Sequence, residues 1–95
     1  MHINEQQTIV RKVVVLNKKG LHARPAAKLA EEAQRFSSSI ELVLNGHKAD
    51  GKSILDILTL AAGPGCGLEI HASGNDAQKA ADHLSEFFRS SIGGL

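Results

Sequence analysis

The chain has 95 residues, with no tryptophan, no tyrosine, three phenylalanines, two prolines, one methionine and one cysteine. Each scarcity excludes something. Sheets that read RNA stack bases on strand aromatics, and here Phe36, Phe87 and Phe88 all fall in stretches of helical periodicity. The lone Cys66 cannot close an internal disulfide, so nothing suggests secretion. It lies beside glycines, without a nearby His or a CxxC partner, which argues against catalytic use. His2, His22, His47, His71 and His83 are scattered, with no close pair at the spacing of a zinc helix. No structural metal is expected, and a metal-dependent hydrolase fails for lack of clustered ligands.

An excess of one charge is missing too. Eleven Lys and Arg oppose ten Asp and Glu, for a net charge of +1. Neither nucleic acid nor an anionic membrane is expected as the main partner, and any useful charge must be local. The unbroken apolar runs are too short to span a bilayer. The segment Met1 to Thr8 is polar and lacks the apolar core of a signal peptide. A cytoplasmic location is the expectation.

What remains is an ordinary globular composition, 42% hydrophobic and 22% charged, in a chain long enough for one core. The expectation is a single domain over residues 1–95, with 1–8 an extension and 90–95 frayed. Ile9 to Leu16 is valine-rich and ends at the turn-forming Asn17-Lys18-Lys19-Gly20, which predicts a strand. Val13/Val15 and Val14/Leu16 are both apolar alternations, so the inward face stays open. Beyond Gly20, Ala26, Leu29, Ala30, Ala33 and Phe36 recur at helical intervals, with Pro25 suited to the first turn. That helix begins close to His22 or Ala23.

Ser37-Ser38-Ser39 breaks the helix, and Ile40, Leu42 and Leu44 alternate as a strand. Asn45-Gly46 signals a type I′ hairpin turn, with the return strand at His47 to Asp50. Ser53 to Ala62 reads as a second helix with Ser53 as its cap, ended by Gly63-Pro64-Gly65. Gly67 to Ser73 alternates again, and Asn75 with Gln78 resembles a capping box before a last helix through Phe88. The order is β-α-β-β-α-β-α, an α+β fold with helices on one face of a small antiparallel sheet. His47 and His71 are expected to face solvent, and His83 to lie on the polar side of the last helix without a role.

The informative segment is Gly20-Leu21-His22-Ala23-Arg24-Pro25-Ala26-Ala27. It places an imidazole at the mouth of a helix, where free N–H groups of Ala23 and Arg24 and the helix dipole form an anion site. Arg24 adds a guanidinium that can pair with phosphate oxygens. The same positive field favours the neutral ring, whose nitrogen lone pair is a nucleophile. The plainer alternative is that His22 caps the helix and Arg24 is a solvated charge.

This segment resembles the active-site segment of HPr, the phosphocarrier of the bacterial phosphoenolpyruvate-dependent phosphotransferase system. Asn45-Gly46 followed by Lys52-Ser53-Ile54-Leu55 is similar to the family's second motif, and Ser73 to Ala80 to its entry into the last helix. The likeness runs in register from about Val13 to Phe88. It implies an open-faced β-sandwich, a four-stranded antiparallel sheet covered by three helices. It also implies that His22 accepts the phosphoryl group at Nδ1, with Arg24 beside it, from enzyme I, and yields it to enzyme II A domains. The protein is then a monomeric carrier without a cofactor, not an enzyme, serving sugar uptake or a nitrogen-type regulatory branch.

Ser53 matches the position phosphorylated by HPr kinase/phosphorylase in some bacteria, although a helix N-cap explains a serine there equally well. Ile54, Leu55, Ile57, Leu58, Leu60 and Ala61 cover more of their helix than a one-sided stripe requires. Either some of them are exposed as a contact surface, or Gly63 to Gly67 buries them. In the family the positions of Ile54, Leu55, Leu58 and Thr59 meet partner enzymes, and Arg24, Lys28 and Lys52 supply a positive rim. The competing class is a non-enzymatic, ferredoxin-like module that binds a small effector.

Overall fold

The computed structural model describes residues 8–95, so the expected extension Met1 to Thr8 lies outside them except for Thr8. The elements are β1 (Thr8–Val14), α1 (Ala23–Ala33), β2 (Ser39–Leu44), β3 (His47–Asp50), α2 (Ile54–Thr59), β4 (Gly67–Ser73) and α3 (Ala77–Ser90). A short 3-10 turn, Ile92–Gly94, follows α3. The strands form one antiparallel sheet in the order β1-β4-β2-β3, with β4 between the two chain-distant strands β1 and β2.

Strand alternation sends one set of side chains to the core: Val13 from β1, Leu68, Ile70 and Ala72 from β4, Ile40 and Leu42 from β2, Ala49 from β3. The open choice on β1 is thereby settled. Val13 and Val15 are inward at 8% and 0% exposure, whereas Val14 and Leu16 stand out at 48% and 54%. Helix α1 packs Pro25, Ala26, Leu29, Ala30 and Ala33 onto this core, and α3 packs Ala77, Ala80, Ala81, Leu84, Phe87 and Phe88. Burying a side chain such as Leu29 contributes about 1.5–3 kcal/mol, so the face carrying these residues holds α1 in place. At the hairpin, Asn45 and Gly46 have φ of 50° and 82°, the left-handed pair that a type I′ turn requires.

Three local expectations need correction. Helix α2 ends at Thr59 rather than Ala62, because Leu60 and Ala61 donate to Ile57 and Leu58 in a tightened last turn and Ala61 takes φ 50°. The capping box at Asn75 is absent. The cap of α3 is Asp76, and its carboxylate instead accepts from the N–H groups of Ser37 and Ser38, both at 2.9 Å, and from the Ser38 hydroxyl. Those donors, on the loop leaving α1, would otherwise lack partners. Third, the chain after Ser90 is not frayed: Ile92 is fully buried and its carbonyl accepts from Asn17 Nδ2 at 3.3 Å.

The loop between β1 and α1 docks on the segment between α2 and β4. Leu21 N–H donates to the Ala62 carbonyl at 2.9 Å, Val15 N–H to Cys66 at 2.9 Å, and Gly65 N–H to Val15 at 2.8 Å. Gly20 sits in this contact with φ 72°, and a Cβ there would lie 2.4 Å from the Ala62 oxygen. Only glycine tolerates both the conformation and the approach.

Two outcomes follow from this arrangement. Gly20→Ala should lower the unfolding free energy by at least about 2 kcal/mol, since strain and overpacking coincide; a urea titration showing unchanged stability would refute the account. The Asp76 carboxyl is held down to about 2, chiefly by the Ser38 hydroxyl and then by the Ser37 N–H. A depressed carboxylate stabilises fully above its unfolded value, and that contribution is lost as pH falls from about 4 through 2. Asp76→Asn should therefore melt below the parent chain at pH 7, with the gap closing across that acid window. A gap independent of pH would count against the clamp.

Candidate functional site

His22 is the N-cap of α1, in extended backbone with φ −80° and ψ −172°. Its N–H donates to the Gly20 carbonyl and its own carbonyl accepts from Ala26 N–H, both at 3.0 Å. The backbone around the ring is thus pinned on both sides. The imidazole itself makes no capping hydrogen bond and is half-exposed. That answers the plainer alternative in part: the side chain is not spent on the helix.

The amides it leaves free are the important ones. Ala26 supplies the first intrahelical N–H, Pro25 has none, and the N–H groups of Ala23 and Arg24 meet no acceptor among the described residues. No acidic side chain occupies the first turn, so the positive end of an eleven-residue helix is uncompensated. Buried Pro25 and Ala26 anchor this end in the core, which keeps the two donors oriented. An anion placed here finds them without rearrangement.

The cations differ from one another. Arg24 is exposed and forms no ion pair among the described residues. Lys28 lies 3.0 Å from Glu31 and 4.0 Å from Glu32, and the hydrogen bond to Glu31 holds its ammonium above the ordinary range. Lys52 donates its ammonium to the Phe36 carbonyl at 2.7 Å, while its own carbonyl accepts from Gln34 at 2.9 Å. It ties the end of α1 to the start of α2. Of the three expected rim charges, Arg24 alone is unengaged.

Helix α2 exposes part of its apolar surface. Leu55 is 76% and Ile54 41% exposed, Leu58 is half-buried, and Thr59 is exposed with its hydroxyl donating to the Asp56 carbonyl at 2.5 Å. Ile57 and Leu60 turn inward. The segment Gly63 to Gly67 therefore does not cover this patch. Arg24, Ala27, Lys28, Gln34, Ile54 and Leu95 line one groove, which joins the start of α1 to the start of α2. Ser53 caps α2, its Oγ accepting from Asp56 N–H at 3.2 Å, and it remains half-exposed. The Asp56 carboxylate in turn accepts from Asp50 N–H at 2.9 Å.

One residue elsewhere behaves differently from expectation. His83 is not idle: its Nε2 lies 2.6 Å from Glu32 Oε1, and its ring packs on Phe36 at a centroid distance of 5.4 Å. This contact joins α3 to α1, and the His83 hydrogen bond, followed by Arg35, lowers the Glu32 carboxyl. His71 pairs with Glu69 at 2.8 Å, and His47 is exposed. Among the described residues no three His, Cys, Asp or Glu side chains gather where a metal ion could be held, and no helix is long and apolar enough to cross a membrane. Sequence reasoning missed Asn17, Ile92 and Leu95. Asn17 was readable as a turn former, but its bond to a residue 75 positions away left no local trace.

Comparison with known proteins gives the family and the fold. A family model described as the PTS HPr component phosphorylation site matches residues 9–90. The phosphocarrier protein HPr of Cupriavidus necator is 42% identical over 74 residues, 78% of this chain and 83% of that protein. HPr of Mycoplasma capricolum is 40% identical over 73 residues, 77% of this chain and 82% of that protein. The crystal structure of HPr-C-His from Thermoanaerobacter tengcongensis superposes with a TM-score of 0.85 at 34% identity, covering 90% of this chain and 96% of that one. The architecture is the HPr-like α+β fold, with an open antiparallel sheet and three helices. By sequence and by fold, the chain belongs to the HPr family, the phosphocarriers of the phosphotransferase system.

Proposed function

We propose that His22 is the residue that carries the phosphoryl group, through Nδ1, between enzyme I and enzyme II A domains. One observation supports this above the others: a half-exposed imidazole uses none of the helix donors beside it, and the Ala23 and Arg24 amides stand open. In the forward step the His22 nitrogen attacks phosphorus, the P–N bond of the donor phosphohistidine breaks, and the donor imidazole leaves with its electron pair. Transfer onward reverses these roles. Such transfers need positioning and charge stabilisation more than covalent help. The two amides and the Arg24 guanidinium supply both for the oxygens of the transferred group.

In this reading the chain is a cytoplasmic monomer that carries the group while its partners catalyse the exchange. The docking surface is the exposed part of α2, Ile54, Leu55, Leu58 and Thr59, bordered by Arg24 and Lys28, with Lys52 holding the junction. Ser53 fits a regulatory phosphorylation by HPr kinase/phosphorylase, because a phosphate there adds nearly two negative charges at the edge of that surface. Asp50 and Asp56 already make the neighbourhood acidic. An effector-binding module would leave the open helix end without a use, and family membership does not favour it. Whether the carrier feeds sugar uptake or a nitrogen-type branch depends on its partners.

With enzyme I and phosphoenolpyruvate, the chain should gain one acid-labile, base-stable phosphate. His22→Ala should abolish it, and Arg24→Ala should slow transfer roughly 10- to 100-fold, the range for losing a charge-assisted hydrogen bond. Phosphate retained by the His22 variant would overturn the assignment. Leu55→Asp and Ser53→Asp should each raise KM for enzyme I, by about tenfold for Leu55→Asp if that side chain is an anchor. Because Leu55 is so exposed, its variant should keep the parent melting temperature; an unchanged KM would remove α2 from the interface.

A further inference from the structure

Among the described residues, Asn17 and Ser38 are the two buried polar ones, and Asn17 is 4% exposed. Its carboxamide and its backbone carbonyl are all engaged. Its Oδ1 accepts from Lys19 N–H at 2.9 Å, its backbone carbonyl accepts from Gly20 N–H at 3.1 Å, and its Nδ2 donates to the Ile92 carbonyl at 3.3 Å. The Gly20 carbonyl then accepts from His22 N–H at 3.0 Å. A continuous series of hydrogen bonds therefore runs from the turn after α3, through Asn17 and Gly20, to the backbone of His22. The same turn leads to Leu95, which packs partly buried against the core and lines the groove with Arg24 and Ile54.

Turn formation alone explains only half of this. An Asx turn uses Oδ1 and leaves the amide donor free to face water. Here the amide is buried, where an unsatisfied donor is costly, and it is directed at the Ile92 carbonyl, which also accepts from Leu95 N–H at 3.0 Å. Ile92 holds that carbonyl in place because its side chain is fully buried.

We propose that Asn17 is a positioning residue for phosphoryl transfer: its carboxamide locks the loop that presents His22 to the turn Ile92–Gly94, holding the imidazole in register with the partner groove. The inference rests on His22 being the phosphoryl acceptor. Its discriminating variant is Asn17→Asp, which keeps an acceptor for Lys19 N–H but replaces the donor to Ile92 with a carboxylate oxygen facing a carbonyl. In steady-state transfer from enzyme I, below the variant's melting temperature, kcat should fall roughly tenfold, the worth of about one hydrogen bond. KM should stay within about twofold, because the exposed residues of α2 are untouched. A residue serving stability alone would lower the melting temperature and leave kcat unchanged, and that result overturns the proposal.

Should Asn17→Asp fail to fold, the parent chain decides. Phosphorylating His22 should shift the NMR signals of the Asn17 side-chain amide and of the Ile92 and Leu95 backbone; silence at all three overturns the proposal. A parent chain that accepts no phosphate refutes the reading on which this one depends, whereas acceptance with a fully active variant refutes the role of Asn17 alone.

Discussion

Where Leu21 N–H meets the carbonyl of Ala62, two loops that are distant in sequence become one surface. The site depends on that contact. It requires Gly20 to take a left-handed conformation with no Cβ, and it accompanies the early end of α2, where Ala61 also turns to positive φ. The backbone of His22 hangs from Gly20 on one side and from the first turn of α1 on the other. Apolar packing beneath Pro25, Ala26 and Leu29 then keeps the open amides directed outward. The His22 backbone is held on both sides while its side chain makes no capping bond, which suits the relay proposed for it.

Electrostatics narrow the picture further. A net charge of +1 says little about an anion site, and counting nearby lysines overstates it. Lys28 is shared with Glu31 and Glu32, and Lys52 is committed to the Phe36 carbonyl. The field at the mouth of α1 comes from the two amides, the uncompensated first turn and Arg24. Exposed ion pairs contribute little to stability, but here they matter by withdrawing charge from the surface. The His83–Glu32 contact has another character, since it crosses between α3 and α1 and packs on Phe36.

Much of this was legible in the order of residues. Periodicity, turn signals and caps together identified the four strands and three helices of the described residues, because alternation, helical spacing and turn chemistry are local properties of the chain. Asn45-Gly46 and Pro25 behaved as their backbone preferences require. The segment from Gly20 to Ala27 located the candidate site, since a histidine, an arginine and a proline at a helix start carry their chemistry with them. Errors fell where distant partners compete with local rules. Asp76 turned away from its own helix to serve Ser37 and Ser38, and Ile92 was drawn inward after a segment that looked ready to fray.

The sequence by itself determined the element types and the position of the imidazole at a helix mouth, since each depends on residues within a turn or two of one another, and the family, since its motifs recur in register along the chain. Tertiary structure alone decided which face of β1 is buried, which cations remain free, how much of α2 is open, and that Asn17 reaches Ile92. Those outcomes depend on which groups arrive first at a limited number of partners in space. Separation along the chain says nothing about that competition, because a hydrogen bond between residues 75 apart obeys only distance and angle.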